Sequence, residues 1–252
     1  MPVLTVVILT KNEENDIEAT IQNAWQCADE VLIVDSGSKD NTVKIALKNG
    51  ARVVFRVWDN DFAAQRNFAL SQTKADWVLY LDADEHLNDE LVNAIKKVVA
   101  AASGAQKQYS LQRKSVAFGT KFSYGPLHPD WVPRLFPRNS VTWAGKVHEH
   151  PECNLPLEKL PGHIEHYTYR DWQEWEEKMS RYSSIWAEEA YKNGRRTSLP
   201  AALMHGIGSL FSTLILHQGF LDGWMGVCLS CMYFSYTMLK YLKLYGLQKK
   251  NE

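Results

Sequence analysis

The apolar positions of residues 3–101 fall into two alternating patterns. Near-continuous β-branched runs at Val3–Leu9, Glu30–Asp35, Arg52–Val57 and Trp77–Leu81 predict strands buried on both faces. Between them, helical stretches are predicted at Asn15–Cys27, Asp40–Asn49, Phe62–Gln72 and Asn88–Ala101, and Asn49-Gly50 supplies a C-terminal stop for the second. Strand and helix in strict alternation predict an α/β unit with a mostly parallel, Rossmann-like sheet covered by helices. In such a sheet ligands gather beyond the carboxyl ends of the strands. Thr10-Lys11-Asn12-Glu13-Glu14, Asp35-Ser36-Gly37-Ser38 and Asp82-Ala83-Asp84 all fall there.

The pattern then changes twice. From Gln106 to Arg170 it is irregular, with strand-like pieces at Gln108–Arg113 and Val141–Val147 around a loop rich in Gly, Pro and aromatics at Gly119–Pro137. That composition suits an acceptor-binding half of the same domain, so the expected divisions are 1–102, 103–170 and 171–252. Helical spacing returns at Asp171–Asn193, with Trp172, Trp175, Met179, Tyr182 and Trp186 on one broad face. After Arg195-Arg196, the stretch Thr197–Leu221 has no Asp, Glu, Lys or Arg, and Gly223–Leu239 has none either, with Lys240, Lys243, Lys249 and Lys250 at or beyond its end. Basic flanks on both sides predict that both ends stay in the cytoplasm. Glycines and His217 interrupt the apolar run, which fits a re-entrant hairpin or an interfacial helix pair better than a single span; a buried hairpin is the other reading.

Composition adds exclusions. A formal charge of −1 gives no pull toward nucleic acid. The four cysteines are scattered, which suits a reducing compartment, and Cys228-x-x-Cys231 sits in an apolar helical run as small packing residues. The N-terminal run lacks a basic region and a cleavage site and reads as a first strand.

Candidate chemistry centres on Asp82-Ala83-Asp84, two carboxylates at the end of an apolar strand followed at once by Glu85. Hard oxygen ligands of this kind suit Mg²⁺ or Mn²⁺ shared with substrate phosphates. A divalent cation stabilises the charge that builds on a departing diphosphate. Solvated turns carry the same pattern, so the pair alone is weak. Asp35 can accept from a base N–H or ribose hydroxyl, or can serve as a cap, while Ser38 and Asp40 read as caps of the following helix. Glu149, in Gly145-Lys146-Val147-His148-Glu149-His150, is the candidate base for an acceptor hydroxyl; a charge pair with Arg134 or Arg138 is the alternative. His148 is either a metal ligand or an orienting partner of Glu149. His163 and His166 read as acceptor-site or core residues.

These residues resemble the family 2 glycosyltransferases of the nucleotide-sugar-binding A-type fold. Val-Ile-Leu-Thr-Lys-Asn-Glu-Glu, Ile-Val-Asp-Ser-Gly-Ser-Lys-Asp, Ala-Ala-Gln-Arg-Asn and Tyr-Leu-Asp-Ala-Asp-Glu carry the resemblance. It implies that Lys11 and Glu13 approach the nucleoside, Asp35 pairs with the base, Asp82 faces the ribose and Asp84 meets the metal, with Thr10 and Ser36 lining the site. Arg66 matches a donor-binding position of the family, an exposed helix charge being the plainer reading.

Arg134-Leu135-Phe136, Val147-His148-Glu149, His166-Tyr167-Thr168-Tyr169 and Gly219-Phe220-Leu221-Asp222-Gly223 are similar to lipopolysaccharide-core transferases that add a β-1,4-linked glucose to an inner-core heptose. That resemblance implies UDP-glucose as donor, a lipid-A-core acceptor, and work at the cytoplasmic face of a bacterial inner membrane. A transferase acting on a polyprenyl phosphate and a non-catalytic nucleotide-sugar scaffold are the rivals.

Overall fold

The computed structural model describes residues 3–101, 107–145 and 149–250. They form two compact units, Met1–Arg113 with Asp130–His166, and Lys114–Pro129 with Tyr167–Glu252.

The first unit begins as the sequence predicts. Strands β1 (Leu4–Thr10), β2 (Glu30–Asp35), β3 (Arg52–Phe55) and β4 (Trp77–Asp82) alternate with helices α1 (Ile17–Ala24), α2 (Thr42–Lys48) and α3 (Phe62–Gln72). After β4 come β5 (Glu85–Leu87) and α4 (Asp89–Ala100). The sheet continues through β6 (Gln108–Ala117), β8 (Asp130–Pro137) and β11 (Leu157–Tyr169), in the order β3-β2-β1-β4-β8-β6-β11-β5. The pairings among β1 to β4 are parallel, whereas β4 with β8, β8 with β6 and β11 with β5 are antiparallel.

Because β1, β2 and β4 are covered on both sides, alternate residues of one strand feed two cores, whereas the edge strand β3, expected to be buried on both faces, leaves Arg52 and Phe55 exposed. Leu4, Val6 and Ile8 pack with Ile17, Ile21, Leu91 and Ile95 of α1 and α4, while Val7 packs with Ala63, Ala69, Tyr80, Phe136 and Trp143 on the α3 side. Asp61 and Asn88 accept from the backbone N–H of Ala64 and Leu91, and so cap α3 and α4.

The predicted loop Gly119–Pro137 is largely strand: β7 (Thr120–Lys121) pairs with the end of β6, and β8 lies between β4 and β6. Two prolines hid β8 from a pattern reading. Pro133 is tolerated because the β6–β8 pairing shifts register beside it. The strand β11 also went unread, its polar and apolar positions being those of a half-exposed element. Of the piece Val141–Val147, β9 (Thr142–Ala144) forms and pairs with β10 (His150–Glu152), while Lys146 and Val147 lie outside the described residues.

The second unit is helical: α5 (Trp172–Lys192), α6 (Leu199–Phe211) and α7 (Gly223–Lys250), with a π-helical turn at Ser212–Leu216 and a 3-10 turn at Gly219–Asp222 between the last two. Helix α6 doubles back on α7. Of the aromatic face expected on α5, Met179 is buried and Trp175 and Trp186 are part-buried, but Trp172 and Tyr182 are exposed. Asp222 fastens a loop of this unit, accepting from the backbone N–H groups of Ser123 at 3.1 Å and Tyr124 at 2.8 Å. Gly219 has no room for a side chain, since a Cβ there would lie 2.7 Å from the Thr213 carbonyl oxygen.

Candidate active site

Strand register brings the acidic loops to one rim. In the β1–β2 pairing Thr10 lies opposite Asp35, and in the β1–β4 pairing Leu9 lies opposite Asp82, so both carboxylates flank the end of β1. The Thr10 hydroxyl donates to Asp35 at 3.3 Å, and the Ser36 N–H donates to the Thr10 carbonyl at 3.0 Å. Asp35 is buried and also accepts from the N–H groups of Gly37 and Ser38 and from the Ser38 hydroxyl. It therefore shapes its own loop, whatever else it binds. Ser38 does not cap α2 as expected: its hydroxyl joins Asp35 to the N–H of Asn12. Asp40 does serve the helix start, accepting from the N–H of Thr42, and it also accepts from the N–H of Glu14. The N–H of Glu13 donates to Thr42, so the first two loops are laced together, leaving Lys11 exposed.

Arginines organise the second group. The Arg66 side chain is 5% exposed, which removes the reading of an exposed helix charge; its Nη2 lies 3.4 Å from Asp82 and 3.2 Å from Glu149. Its guanidinium also sits over the Trp143 ring at 4.6 Å. Arg134 Nη2 donates to Asp82 at 2.7 Å and to Glu85 at 3.1 Å. Arg113 approaches Glu85 at 3.7 Å and pairs with Asp130 at 2.8 Å. The ion pair of Glu149 is thus with Arg66, not with the Arg134 or Arg138 of the alternative reading; Arg138 donates from Nε to the Thr73 carbonyl. Together Arg66, Asp82, Arg134, Trp143 and Glu149 line a cleft of about 270 Å³. Among the described residues the buried Nε and Nη1 of Arg66 and Nε of Arg134 have no acceptor.

The charges are unequal in state. Burial opposes ionisation of Asp82, but Arg134 and then Arg66 outweigh it and hold the carboxyl well below the usual carboxylate range. Glu85 is fully buried, and its burial together with the neighbouring Asp82 charge pushes its pKa up against the pull of Arg134.

Asp84 comes next to a residue that sequence reading placed in the core or acceptor site. The antiparallel pairing of β11 with β5 sets His166 opposite Glu85, and His166 Nε2 lies 3.3 Å from Asp84 Oδ2. Burial disfavours the imidazolium, yet Asp84 more than compensates and raises the His166 pKa above its ordinary value. A carboxylate and an imidazole side by side suit a borderline-hard divalent cation. Among the described residues no three His, Cys, Asp or Glu side chains form a metal-holding group, so a cation here needs oxygens from a bound diphosphate or water. His148, the other metal candidate, lies outside the described residues. His163 contacts Asn88 at 3.2 Å, beside the cap of α4. No local signal links residue 84 to residue 166; only strand pairing does.

The family model for "Glycosyl transferase family 2" matches residues 5–158, more than half of the chain and nearly all of the first unit. The chain belongs to glycosyl transferase family 2. Its A-type α/β architecture follows from that membership and from the sheet described above. A glycosyltransferase of Rickettsia typhi is 27% identical to this transferase over 264 residues, covering 100% of this chain and 89% of the relative. The lipopolysaccharide core biosynthesis glycosyltransferase LpsC of Rhizobium meliloti is 28% identical over 202 residues, covering 77% of this chain and 73% of that protein. Among solved structures, glucosyl-3-phosphoglycerate synthase from Mycobacterium tuberculosis in complex with Mn²⁺, UDP and glucosyl-3-phosphoglycerate is 26% identical. That likeness covers 46% of this chain and 44% of the other at a TM-score of 0.34, a level at which no shared site geometry follows.

Proposed function

We propose that this transferase moves glucose from UDP-glucose, with inversion, to a heptose of a lipopolysaccharide inner core at the cytoplasmic face of the inner membrane, using Mg²⁺ or Mn²⁺. The observation that carries the reading is that one buried guanidinium, Arg66, holds both Asp82 and Glu149 in the same cleft. The donor and acceptor rest on the resemblance of the second half to core transferases, supported by the likeness to LpsC.

On this reading Thr10, Lys11, Glu13, Asp35 and Ser36 receive the nucleoside, and Asp82 faces its ribose. Asp84 and His166 hold the cation, which when bound neutralises charge on the leaving diphosphate. Glu149 accepts the proton of the acceptor hydroxyl as that oxygen bonds to the anomeric carbon and the bond to the diphosphate breaks. Arg66 fixes the carboxylate of Glu149 through its Nη2.

The test incubates the purified full chain with a panel of nucleotide sugars, Mg²⁺ or Mn²⁺, and lipid-A-core acceptors from truncated strains. Metal-dependent UDP release with UDP-glucose and a heptose-terminated core is expected. Asp84→Ala and His166→Ala should each lower it about a hundredfold or more, the order of loss for a disrupted metal site. Turnover only on a polyprenyl phosphate, or an Asp84→Ala enzyme with unchanged activity, overturns the reading.

A further inference from the structure

The helical unit is built inside out. The residues of α6 turned toward α7 are small: Ala202 and Gly206 are buried, and Ser209 donates to the Tyr233 carbonyl and accepts from Thr237. A Cβ at Gly206 would lie 3.0 Å from the Phe234 ring, so the two helices approach closely. The large apolar residues point the other way. Leu199, Leu203, Met204, Ile207 and Phe211 are each 45–63% exposed, and the stripe continues through Ile215, Leu216 and Phe220 to Trp224, which is 76% exposed. A helix on the surface of a water-soluble bundle has the opposite arrangement. Small residues between helices with large apolar ones outside is the pattern of a helix pair that faces lipid.

Charge fixes the partner. The span Leu199–Leu216 has mean hydropathy 1.6 with 17% of it buried, and no charged side chain occurs from Leu199 to Leu221. The one acid of the turn, Asp222, is spent on backbone N–H groups. Thr197 and Gln248 clasp the open end of the hairpin at 2.7 Å and 3.1 Å, which brings the exposed Arg195, Arg196, Lys249 and Lys250 to that one end.

Helix α5 fixes the orientation. It runs parallel along α7, with Met179 packed near Leu229 and Ala187 and Ala190 near Leu244. Its outer side exposes Glu176, Glu177, Arg181, Glu188, Glu189 and Lys192. A hairpin driven end-on into a bilayer would carry these charges into hydrocarbon.

We infer that the α6 face, from Leu199 to Trp224, lies flat in the boundary of an anionic lipid leaflet, with α5 on the water side and the basic cluster of the open end against the headgroups. This deepens the membrane-surface part of the proposed function. Flat docking replaces the re-entrant form, because the charged α5 accompanies the hairpin along its length.

The test uses the full chain and vesicles of phosphatidylethanolamine and phosphatidylglycerol, with phosphatidylcholine vesicles as the neutral arm. Flotation with the anionic vesicles is expected, weakened by salt. The triple variant Leu203→Gln, Ile207→Gln, Phe211→Gln should lose about tenfold or more in partitioning, as expected for an interfacial apolar face, with an unchanged circular dichroism spectrum. Quenching of tryptophan emission by brominated lipids should fall in Trp224→Phe. A fluorescent label at position 207 should be quenched by brominated acyl chains and one at position 188 should not. Quenching of both labels would mean end-on insertion and overturns the flat orientation. A dimer that forms without lipid and is lost in the triple variant, with no flotation of the native chain, would assign the face to a second copy. Donor turnover is read in parallel on a soluble acceptor, so failure of the transfer chemistry and failure of docking are separately visible.

Discussion

Removing the charge of Arg134 while keeping the bulk of its stem, as in Arg134→Met, tests the electrostatics of the cleft. The side chain is 7% exposed and its Nη2 bridges Asp82 at 2.7 Å and Glu85 at 3.1 Å; Glu85 is 0% exposed. Without the guanidinium the fully buried Glu85 keeps Arg113, at 3.7 Å, and the more distant influence of His166 as compensating charges among the described residues. Breaking a buried pair from one side costs about 3–5 kcal/mol, a large part of the 5–15 kcal/mol that holds a typical domain. Urea unfolding followed by tryptophan emission should therefore show a midpoint lower by about 1–3 M at pH 7. The sign of the pH effect follows from Glu85. Burial and the Asp82 charge already raise its pKa above the ordinary glutamate value, and loss of Arg134 raises it further. The folded state then retains a proton that the unfolded chain releases, so stability is lost as pH rises from the unfolded pKa through the folded one. The deficit should shrink at pH 5, and Glu85→Gln in the Arg134→Met background should recover about 2 kcal/mol or more at pH 7. Additive effects of the two substitutions, or a deficit independent of pH, would falsify the account.

Two further outcomes probe the scaffold. Gly162 has φ +88°, and a Cβ there would lie 2.7 Å from Asn88 Oδ1, the cap of α4, so Gly162→Ala should cost about 1–3 kcal/mol from backbone strain before any steric term. Thermal unfolding checks it, and an unchanged midpoint would show that the chain relaxes freely there. Burial pushes the part-buried Cys27 thiol up to about 12, while Cys231 is exposed, so maleimide at pH 8 should label Cys231 readily and Cys27 much more slowly until the chain unfolds. Mass spectrometry of the labelled peptides decides it, and rapid labelling of Cys27 in the folded chain contradicts the burial argument.

Much of the first hundred residues was legible because its determinants are local. Strands β1, β2 and β4 are continuous apolar runs that end in acidic loops, and α3 spans its predicted range Phe62–Gln72 behind the Asp61 cap. Family membership could be read from the same short segments. The second half was less open to reading. Strand β8 carries two prolines, Pro133 beside a register shift in the β6–β8 pairing and Pro137 at the strand's end, and β11 reaches the sheet from far along the chain.

The order of elements, the acidic ends of the strands and the uncharged C-terminal stretch were set by the sequence alone, since each depends on side chains within a few positions of one another. Tertiary structure decided that Glu149 meets Arg66, that His166 stands beside Asp84, and that α6 turns its large side chains away from α7. Those pairings join residues separated by tens of positions. They are fixed by strand register and by which helix face finds a partner, and neither leaves a mark in any local window of the chain.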